Sequence, residues 1–214
     1  MKNFAFISDF DGTLTDKDFY KIVTEEHIDE ETEKMLKLWK NGKINVVDYL
    51  GYVFKNINKS EEEIYQYILK IIIDPSAKEF IQKIIAAGGD FIVVSAGTSY
   101  YIKKAFENQN INGVKIYSNE GIFKDKGIHF VLDKEDEFYS EIHGIDKYKV
   151  VKKLKEDYTK IFYAGDSEPD LKAALIADVV FAKASLIKRL EEKGKACIPF
   201  ESFSEIWDKI KDNL

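Results

Sequence analysis

Short runs of consecutive apolar residues occur at four places along the chain. A strand whose two faces are both buried has this pattern, whereas a strand with one exposed face alternates apolar and polar residues. We therefore predict four buried strands, at Phe4–Ser8, Phe91–Ser95, Lys160–Ala164 and Val179–Ala182.

Segments with helical spacing of apolar residues follow these runs. Strand and helix patterns alternate in this part of the chain, which favours an α/β fold with a doubly wound parallel sheet. The predicted helices are Ser76–Ala87, Ser99–Asn108, Asp146–Tyr158, Glu168–Ala177, Ser185–Glu192 and Ser202–Lys211.

Two stretches interrupt the alternation. Residues 16–74 contain no strand pattern but several amphipathic segments, which predicts an all-helical insertion between core segments 1–15 and 75–214. Residues 117–144 contain three glycines around the apolar stretch 128–132, which predicts a hairpin-like excursion within the core. The helical segments of the insertion are Phe19–Val23, Thr32–Trp39, Ile44–Ile57 and Ser60–Ile73.

Composition narrows the function classes. The 214 residues are 45% hydrophobic and 33% charged, as in an ordinary globular chain, and no apolar run approaches the ~20 residues that span a bilayer. The net charge is −6 and Arg189 is the only arginine, so a basic nucleic-acid surface is not expected. The lone Cys197 cannot form an internal disulfide, which favours a reducing, cytoplasmic setting. The oligomeric state stays open.

Polar clusters follow three of the predicted strands. Asp9 and Asp11 come after the first, Ser95 ends the second, and Asp166 and Asp170 follow the run at 160–164. In a doubly wound sheet, ligands bind at the carboxyl ends of the strands, so these side chains are expected at one edge.

Each cluster also has an ordinary structural interpretation. An Asp-Gly pair is common in turns, and both Ser95 and Asp166 suit a helix N-cap. However, two carboxylates leaving a buried strand are costly unless a cation neutralises them. We expect Asp166 to be a further ligand for a divalent ion at this place, and Lys147 to supply positive charge as well. Lys149 in the same Lys-rich segment is an alternative to Lys147.

Together these residues resemble the haloacid dehalogenase superfamily. The matching motifs are Asp9-x-Asp11-Gly-Thr13-Leu14, then Ser95, then a lysine, then Gly165-Asp166-x-x-x-Asp170, in the chain order of that family's phosphatases. The resemblance implies a Rossmann-like core with a helical cap inserted after the first motif, where residues 16–74 fall. That cap position is similar to the subclass containing phosphoserine phosphatase and a methionine-salvage phosphatase.

The resemblance also implies roles for individual residues. Asp9 is expected to be the nucleophile that takes the phosphoryl group, and Asp11 the general acid and then the base. Mg²⁺ is expected to be held by Asp9, the backbone carbonyl of Asp11 and Asp166, with Asp170 supporting these ligands. The expected phosphate-binding residues are Thr13, Ser95, Ala96, Gly97 and Lys147.

The expected substrate is a small phosphomonoester. Asp18 stands nine positions after Asp9, where phosphoserine phosphatases carry an acid that binds the substrate amine. Residues 16–74 contain no arginine, and lysine cannot form the planar bidentate contact that a substrate carboxylate would receive. This departure disfavours phosphoserine as the substrate, and the Gly165-Asp-Ser run and the long excursion before Lys147 favour the methionine-salvage type. Aromatic cap residues are candidates for the pocket wall: Phe19, Tyr20, Trp39, Tyr49, Tyr52 and Phe54.

Three alternatives stay open. Phosphoserine phosphatase is one, and another phosphotransferase of the same superfamily is the second. The third is a non-catalytic phospho-switch, because receiver domains also place acids, a hydroxyl and a lysine around Mg²⁺ on a doubly wound sheet. The histidines, at 27, 129 and 143, show no metal-ligand spacing and are expected at the surface.

Overall fold

The structure is a computed structural model that describes residues 2–26 and 29–213. Within these residues, seven strands form one sheet in the order β4-β3-β2-β1-β7-β8-β9, and every neighbouring pair is parallel except β3 with β4. Its strands are β1 (Lys2–Ser8), β2 (Asp90–Thr98), β3 (Val114–Lys124), β4 (Gly127–Val131), β7 (Tyr158–Gly165), β8 (Val179–Ala182) and β9 (Ile198–Pro199). A small antiparallel pair consists of β5 (Tyr139–Ser140) and β6 (Gly144–Ile145).

Consecutive residues of the central strand β1 belong to two different hydrophobic cores. Phe6 packs with Phe91 and Phe162 on one face of the sheet, whereas Ile7 packs with Ile92 on the other. Successive side chains of a strand point to opposite faces, so a strand covered on both sides requires the unbroken apolar run seen in the sequence.

Helices cover both faces of the sheet. Helices α5 (Ala77–Ala86), α6 (Ser99–Asn108) and α10 (Phe203–Ile210) contribute to one core, and α7 (Lys147–Leu154), α8 (Leu171–Ile176) and α9 (Ala184–Glu192) to the other. The predicted α/β class with a Rossmann-like, doubly wound sheet is therefore confirmed. Among residues 2–26 and 29–213, no helix has the length and apolar character that crossing a membrane requires.

The predicted helix at Asp146–Tyr158 is too long. Helix α7 ends at Leu154, where the backbone N–H of Asp157 donates to the Leu154 carbonyl at 3.0 Å in a turn. Tyr158 already belongs to β7 and pairs with Lys2. Leu154 and Tyr158 are four positions apart, which is the spacing of apolar residues on a helix and explains the error.

Strand β3 was not among the predicted strands. It pairs in parallel with β2 from Phe91↔Val114 onward and then turns into an antiparallel hairpin with β4. The hairpin falls in the predicted excursion at 117–144, but β3 begins earlier and extends the main sheet. Its residues are mostly half-buried or exposed, so the sequence lacks the continuous apolar run of a central strand.

Helices α1 (Phe19–Glu26), α2 (Glu30–Lys40), α3 (Val46–Lys55) and α4 (Glu61–Leu69) lie between β1 and α5. The chain leaves and returns at one place, because Thr15 forms an isolated bridge with Ile73 and the N–H of Asp74 donates to the Leu14 carbonyl at 2.9 Å. We call residues 16–74 the cap; its division from the core segments 1–15 and 75–214 stays a prediction.

The loop between β5 and β6 contacts the cap. The N–H of Val47 donates to the carbonyl of Ile142 at 3.0 Å, and the amide of Asn45 donates to the carbonyl of Glu141 at 3.1 Å. Both cap residues lie at the start of α3. These bonds place the loop at the rim of the cavity described below.

Candidate active site

The acidic residues meet at the carboxyl ends of the three central strands. Strand β1 lies between β2 and β7, and Ser8 pairs with Val93 on one side and Ala164 on the other; β1 and β7 end within one residue of each other, and β2 continues to Thr98. Asp9 and Asp166 each follow directly after one of these strands, and the N–H of Asp9 donates to the Ala164 carbonyl at 2.9 Å.

Three carboxylates form a cluster at this edge. One oxygen from each of Asp9, Asp166 and Asp170 lies within 4.8 Å of the other two. The Lys147 ammonium lies 2.7 Å from Asp9 Oδ2 and 2.7 Å from Asp170 Oδ1, and its side chain is almost fully buried. Lys149, the alternative lysine, is exposed and donates to the Tyr139 carbonyl.

Asp170 is fully buried and its acceptor positions are occupied. Its Oδ1 accepts from Lys147 Nζ at 2.7 Å and from the Tyr163 hydroxyl at 2.8 Å. Its Oδ2 accepts from the backbone N–H groups of Asp166 and Ser167, both at 3.1 Å. With four donors, Asp170 orients the lysine and the loop after β7, while Asp9 and Asp166 keep oxygens for another ligand.

The charges of the cluster do not cancel. Three carboxylates face one ammonium, a formal charge of −2. Burial, followed by the neighbouring charge of Asp170, raises the pKa of Asp9 well above its ordinary value and that of Asp166 to about 6. Burial acts to lower the pKa of Lys147, but the charges of Asp170 and Asp9 outweigh it and raise that pKa.

This donor set fits a hard divalent cation. Mg²⁺ is bound through carboxylate oxygens, and a charge of +2 would neutralise the excess of the cluster. Gly12, in the loop that follows Asp9, has φ +76°. A Cβ at this position would lie 2.9 Å from Asp166 Oδ2, so there is no space for a side chain there. Thr13, expected to bind phosphate, is buried and donates its hydroxyl to Asp166 Oδ1 at 3.0 Å.

The Asp11 carboxylate lies beside this cluster and is bound from two sides. Its Oδ1 accepts the N–H of Phe19 at 2.8 Å, and its Oδ2 accepts the Tyr101 hydroxyl at 2.5 Å. Burial raises the pKa of Asp11 to about 6, although both hydrogen bonds act to lower it. A carboxyl with this pKa can donate and accept a proton near neutral pH.

Ser95 and Asp166 are not helix caps. Thr98 is the residue that precedes α6, and the Ser95 hydroxyl instead accepts the N–H of Gly97 at 3.0 Å and lies 3.5 Å from Asp11 Oδ2. Ser167 precedes the 3₁₀ turn Glu168–Asp170, while the Asp166 side chain accepts from Thr13. Both alternative interpretations of these residues are therefore wrong.

A cavity of about 740 Å³ opens above the carboxylates. Its floor includes Asp9, Asp11, Asp166, Lys147 and the backbone segment 95–97. The wall on the cap side combines apolar residues with the charged or polar Asp18, Lys21, Lys40 and Asn45. Its apolar residues, with the one added by the β5–β6 loop, are Trp39, Ile44, Val46, Leu50, Phe54 and Ile142.

Asp18 also lines the cavity, but its charge is paired. Its Oδ2 lies 2.9 Å from the ammonium of Lys21, which lines the cavity as well. Of the six aromatic cap residues considered for the pocket wall, Tyr20, Trp39 and Phe54 line this cavity.

Several cavity residues were not anticipated. Tyr101, Ile142 and Arg189 belong to elements of the core, and no motif marks them. His143, expected at the surface, is half-buried and lines the cavity, where desolvation lowers its pKa. His129 is also half-buried, and position 27 lies outside the described residues.

Comparisons with known proteins agree with this geometry. Residues 4–185 match the model of a family described as Putative Phosphatase. A Bacillus cereus protein named 2-hydroxy-3-keto-5-methylthiopentenyl-1-phosphate phosphatase is 29% identical over 209 residues, which cover 96% of this chain and 95% of the relative.

Solved structures share the fold. A substrate-bound phosphoserine phosphatase complex is 22% identical with a TM-score of 0.71, covering 98% of this chain and 99% of the other. Phosphoserine phosphatase from T. onnurineus is 23% identical with a TM-score of 0.68, covering 100% and 96%. With the family model spanning most of the sequence, the chain belongs to this phosphatase family and is a phosphomonoester hydrolase of the haloacid dehalogenase superfamily.

Proposed function

We propose that the protein is a Mg²⁺-dependent phosphatase that hydrolyses a small phosphorylated metabolite through an aspartyl-phosphate intermediate on Asp9. One observation carries the proposal: the Asp9 carboxylate lies 2.7 Å from the Lys147 ammonium and within 4.8 Å of an Asp166 oxygen, beside an Asp11 whose pKa burial raises to about 6.

The metal would be held by Asp9, the backbone carbonyl of Asp11 and Asp166, with Asp170 orienting this group. When bound, it supplies positive charge against the charge of the phosphate, which otherwise repels an attacking carboxylate. Lys147 adds a second positive charge on the other side of Asp9, at 2.7 Å.

In the first half of the reaction, an Asp9 oxygen attacks phosphorus and the bond from phosphorus to the leaving oxygen breaks. Asp11 gives its proton to that oxygen, so the product leaves as an alcohol and Asp11 becomes a carboxylate. Ser95, the backbone N–H of Ala96 and Lys147 bind the phosphoryl oxygens, and the Gly97 N–H, which donates to the Ser95 hydroxyl at 3.0 Å, orients that hydroxyl.

In the second half, the Asp11 carboxylate takes a proton from water as the water oxygen attacks phosphorus. The bond from phosphorus to the Asp9 oxygen breaks, which releases inorganic phosphate and restores the Asp9 carboxylate. Asp11 ends protonated, as it began. Thr13 supports this site indirectly, by fixing the Asp166 carboxylate.

Apolar residues on the cap side of the cavity favour a substrate whose body is apolar. The Asp18 charge is paired with Lys21, and residues 16–74 supply no arginine to bind a carboxylate, although Arg189 of the core lines the cavity. We therefore assign the substrate to the type named for the Bacillus cereus relative, an enol-type methylthiopentenyl phosphate. Asp18 at the cavity wall keeps phosphoserine as the second candidate.

A test is phosphate release across a panel of phosphomonoesters with Mg²⁺ present. We expect the methylthiopentenyl phosphate to exceed phosphoserine in kcat/KM by at least about 10-fold, a typical contribution of one apolar contact region. The reverse order would contradict the substrate assignment alone.

The Asp9→Asn variant tests the covalent mechanism. We expect it to fold and to lose turnover, and mass spectrometry of quenched reactions to find phosphoenzyme with the natural sequence only. The control is Asp16→Asn, an exposed acid in the same loop, which should keep full activity. Turnover retained by Asp9→Asn would contradict the proposal, and absence of phosphate release from every ester would favour a non-catalytic phospho-switch.

A further inference from the structure

Residues from both the cap and the core bind the side chain of Asp11. The Phe19 N–H belongs to the first residue of cap helix α1 and binds Oδ1 at 2.8 Å. The Tyr101 hydroxyl belongs to core helix α6 and binds Oδ2 at 2.5 Å. Oδ2 also accepts the Ser95 hydroxyl at 3.5 Å, and donors on both oxygens fix the orientation of the carboxylate plane.

The ring of Tyr101 is itself held in place. Only 1% of the residue is exposed, and the ring stacks on Phe19 with centroids 4.4 Å apart. Phe10 and Phe54 pack against it at 6.0 and 5.9 Å. Packing on three sides leaves the hydroxyl only a small range of positions, all close to Asp11.

The end of strand β2 provides the space for this hydroxyl. A Cβ at Gly97 would lie 1.6 Å from the Tyr101 oxygen and 3.0 Å from Asp11 Oδ2. Any side chain at position 97 would therefore displace the hydroxyl from Asp11. The Tyr101 hydroxyl can reach Asp11 because position 97 has no side chain.

We propose that Tyr101 is a positioning residue for the proton transfers of Asp11: its hydroxyl holds the carboxyl group in the orientation that reaches the leaving oxygen. This rests on the proposed function, in which Asp11 gives a proton to the departing alcohol. The hydroxyl exchanges no proton itself; it donates one hydrogen bond to the carboxylate that remains after the transfer.

The dependence on the leaving group separates this contribution from a structural one. An alkoxide is a poor leaving group and needs the proton of Asp11, whereas p-nitrophenolate leaves without one. Loss of the Tyr101 hydroxyl should therefore slow cleavage of an alkyl phosphate and spare cleavage of p-nitrophenyl phosphate.

The experiment measures release of the alcohol or phenol in single turnovers, with enzyme and Mg²⁺ in excess, for Tyr101→Phe. The substrates are pentyl phosphate, whose tail suits the apolar wall, and p-nitrophenyl phosphate. We expect the rate with pentyl phosphate to fall by about 10²-fold, the lower range for general acid catalysis, and the other rate to change by less than about threefold. The steady-state KM for both should stay within about threefold.

The matched control is Tyr100→Phe. This neighbouring hydroxyl donates to Glu61 at 2.7 Å, away from Asp11, and its loss should leave both rates unchanged. Tyr101→Phe keeps the ring and its stacking, so urea unfolding should confirm an intact fold.

Equal losses with both substrates, or no loss with pentyl phosphate, would overturn the inference while leaving the proposed function intact. Mass spectrometry of the same quenched reactions measures the phosphoenzyme. If it finds none with the natural sequence, the proposed function fails and the inference fails with it.

Discussion

Replacing Asp11 with asparagine should make the folded protein more stable and less active. Asparagine has the same shape, and its oxygen can still accept the N–H of Phe19. The Tyr101 hydroxyl can rotate to accept from the new amide. The substitution therefore removes the ionisable group while both polar contacts persist.

The magnitude follows from the pKa of Asp11, which burial raises from 3.8 to about 6. This increase in the pKa corresponds to roughly 3 kcal/mol, and the half-buried position of Asp11 at the cavity reduces the free-energy cost to roughly 1–3 kcal/mol. Because the pKa is raised, the folded state binds more protons than the unfolded state between pH 3.8 and about 6. The free energy of unfolding therefore falls as pH rises through this window, and above it the full cost persists.

The assay is urea unfolding at pH 4 and pH 7 in EDTA. We expect the free energy of unfolding of Asp11→Asn to exceed that of the natural sequence by roughly 1–3 kcal/mol at pH 7 and by little at pH 4. With Mg²⁺, turnover of alkyl phosphates should fall at least about 10²-fold. Asp16→Asn, an exposed change in the same loop, should alter neither quantity. A variant that is less stable at pH 7, or whose advantage is equal at both pH values, would refute the reasoning.

Three further predictions concern the cluster and the cavity wall. Lys147→Met removes the partner of two buried carboxylates and should lower the free energy of unfolding in EDTA by about 3–5 kcal/mol, whereas exposed Lys149→Met should change it by less than about 0.5 kcal/mol; equal effects in urea titrations would contradict this. With Mg²⁺ at 100 times its dissociation constant, the free energy of unfolding of the natural sequence should rise by about 2.7 kcal/mol, and that of Asp166→Asn by far less. The rise in Tm measures both. Ile142→Gln should lower kcat/KM for pentyl phosphate several-fold but leave glycerol phosphate unaffected, and a uniform decrease would argue against contact with the substrate tail.

The sequence predicts the centre of the sheet well because burial on both faces leaves an unmistakable pattern. The central strands β1, β2 and β7 all contain such runs, and their alternation with helices predicts that they are parallel. Strand β3 lies further out and has exposed positions, so its pattern is irregular. The predicted helix at Asp146–Tyr158 extends beyond the end of α7 because Leu154 and Tyr158, on either side of the turn, have the four-residue spacing of a helix.

The acidic cluster was predictable for a topological reason. Parallel neighbouring strands end at the same edge, so Asp9 and Asp166 come together although 157 positions separate them in the chain. Tyr101 was not predictable, because an aromatic residue on a helix usually indicates only core packing. Its contact with Asp11 depends on the absence of a side chain at Gly97 and on where α6 begins, and neither is visible as a pattern.

The position of the cap bears directly on the chemistry at Asp11. Its first helix donates the Phe19 N–H to Asp11, while the start of its third helix is bound to the β5–β6 loop through Val47 and Asn45. The Tyr101 hydroxyl comes from the core, but its ring stacks on Phe19 and packs against Phe54, which both belong to the cap. Both donors to Asp11 therefore depend on the position of the cap: Phe19 through its own N–H, and Tyr101 through the packing of its ring.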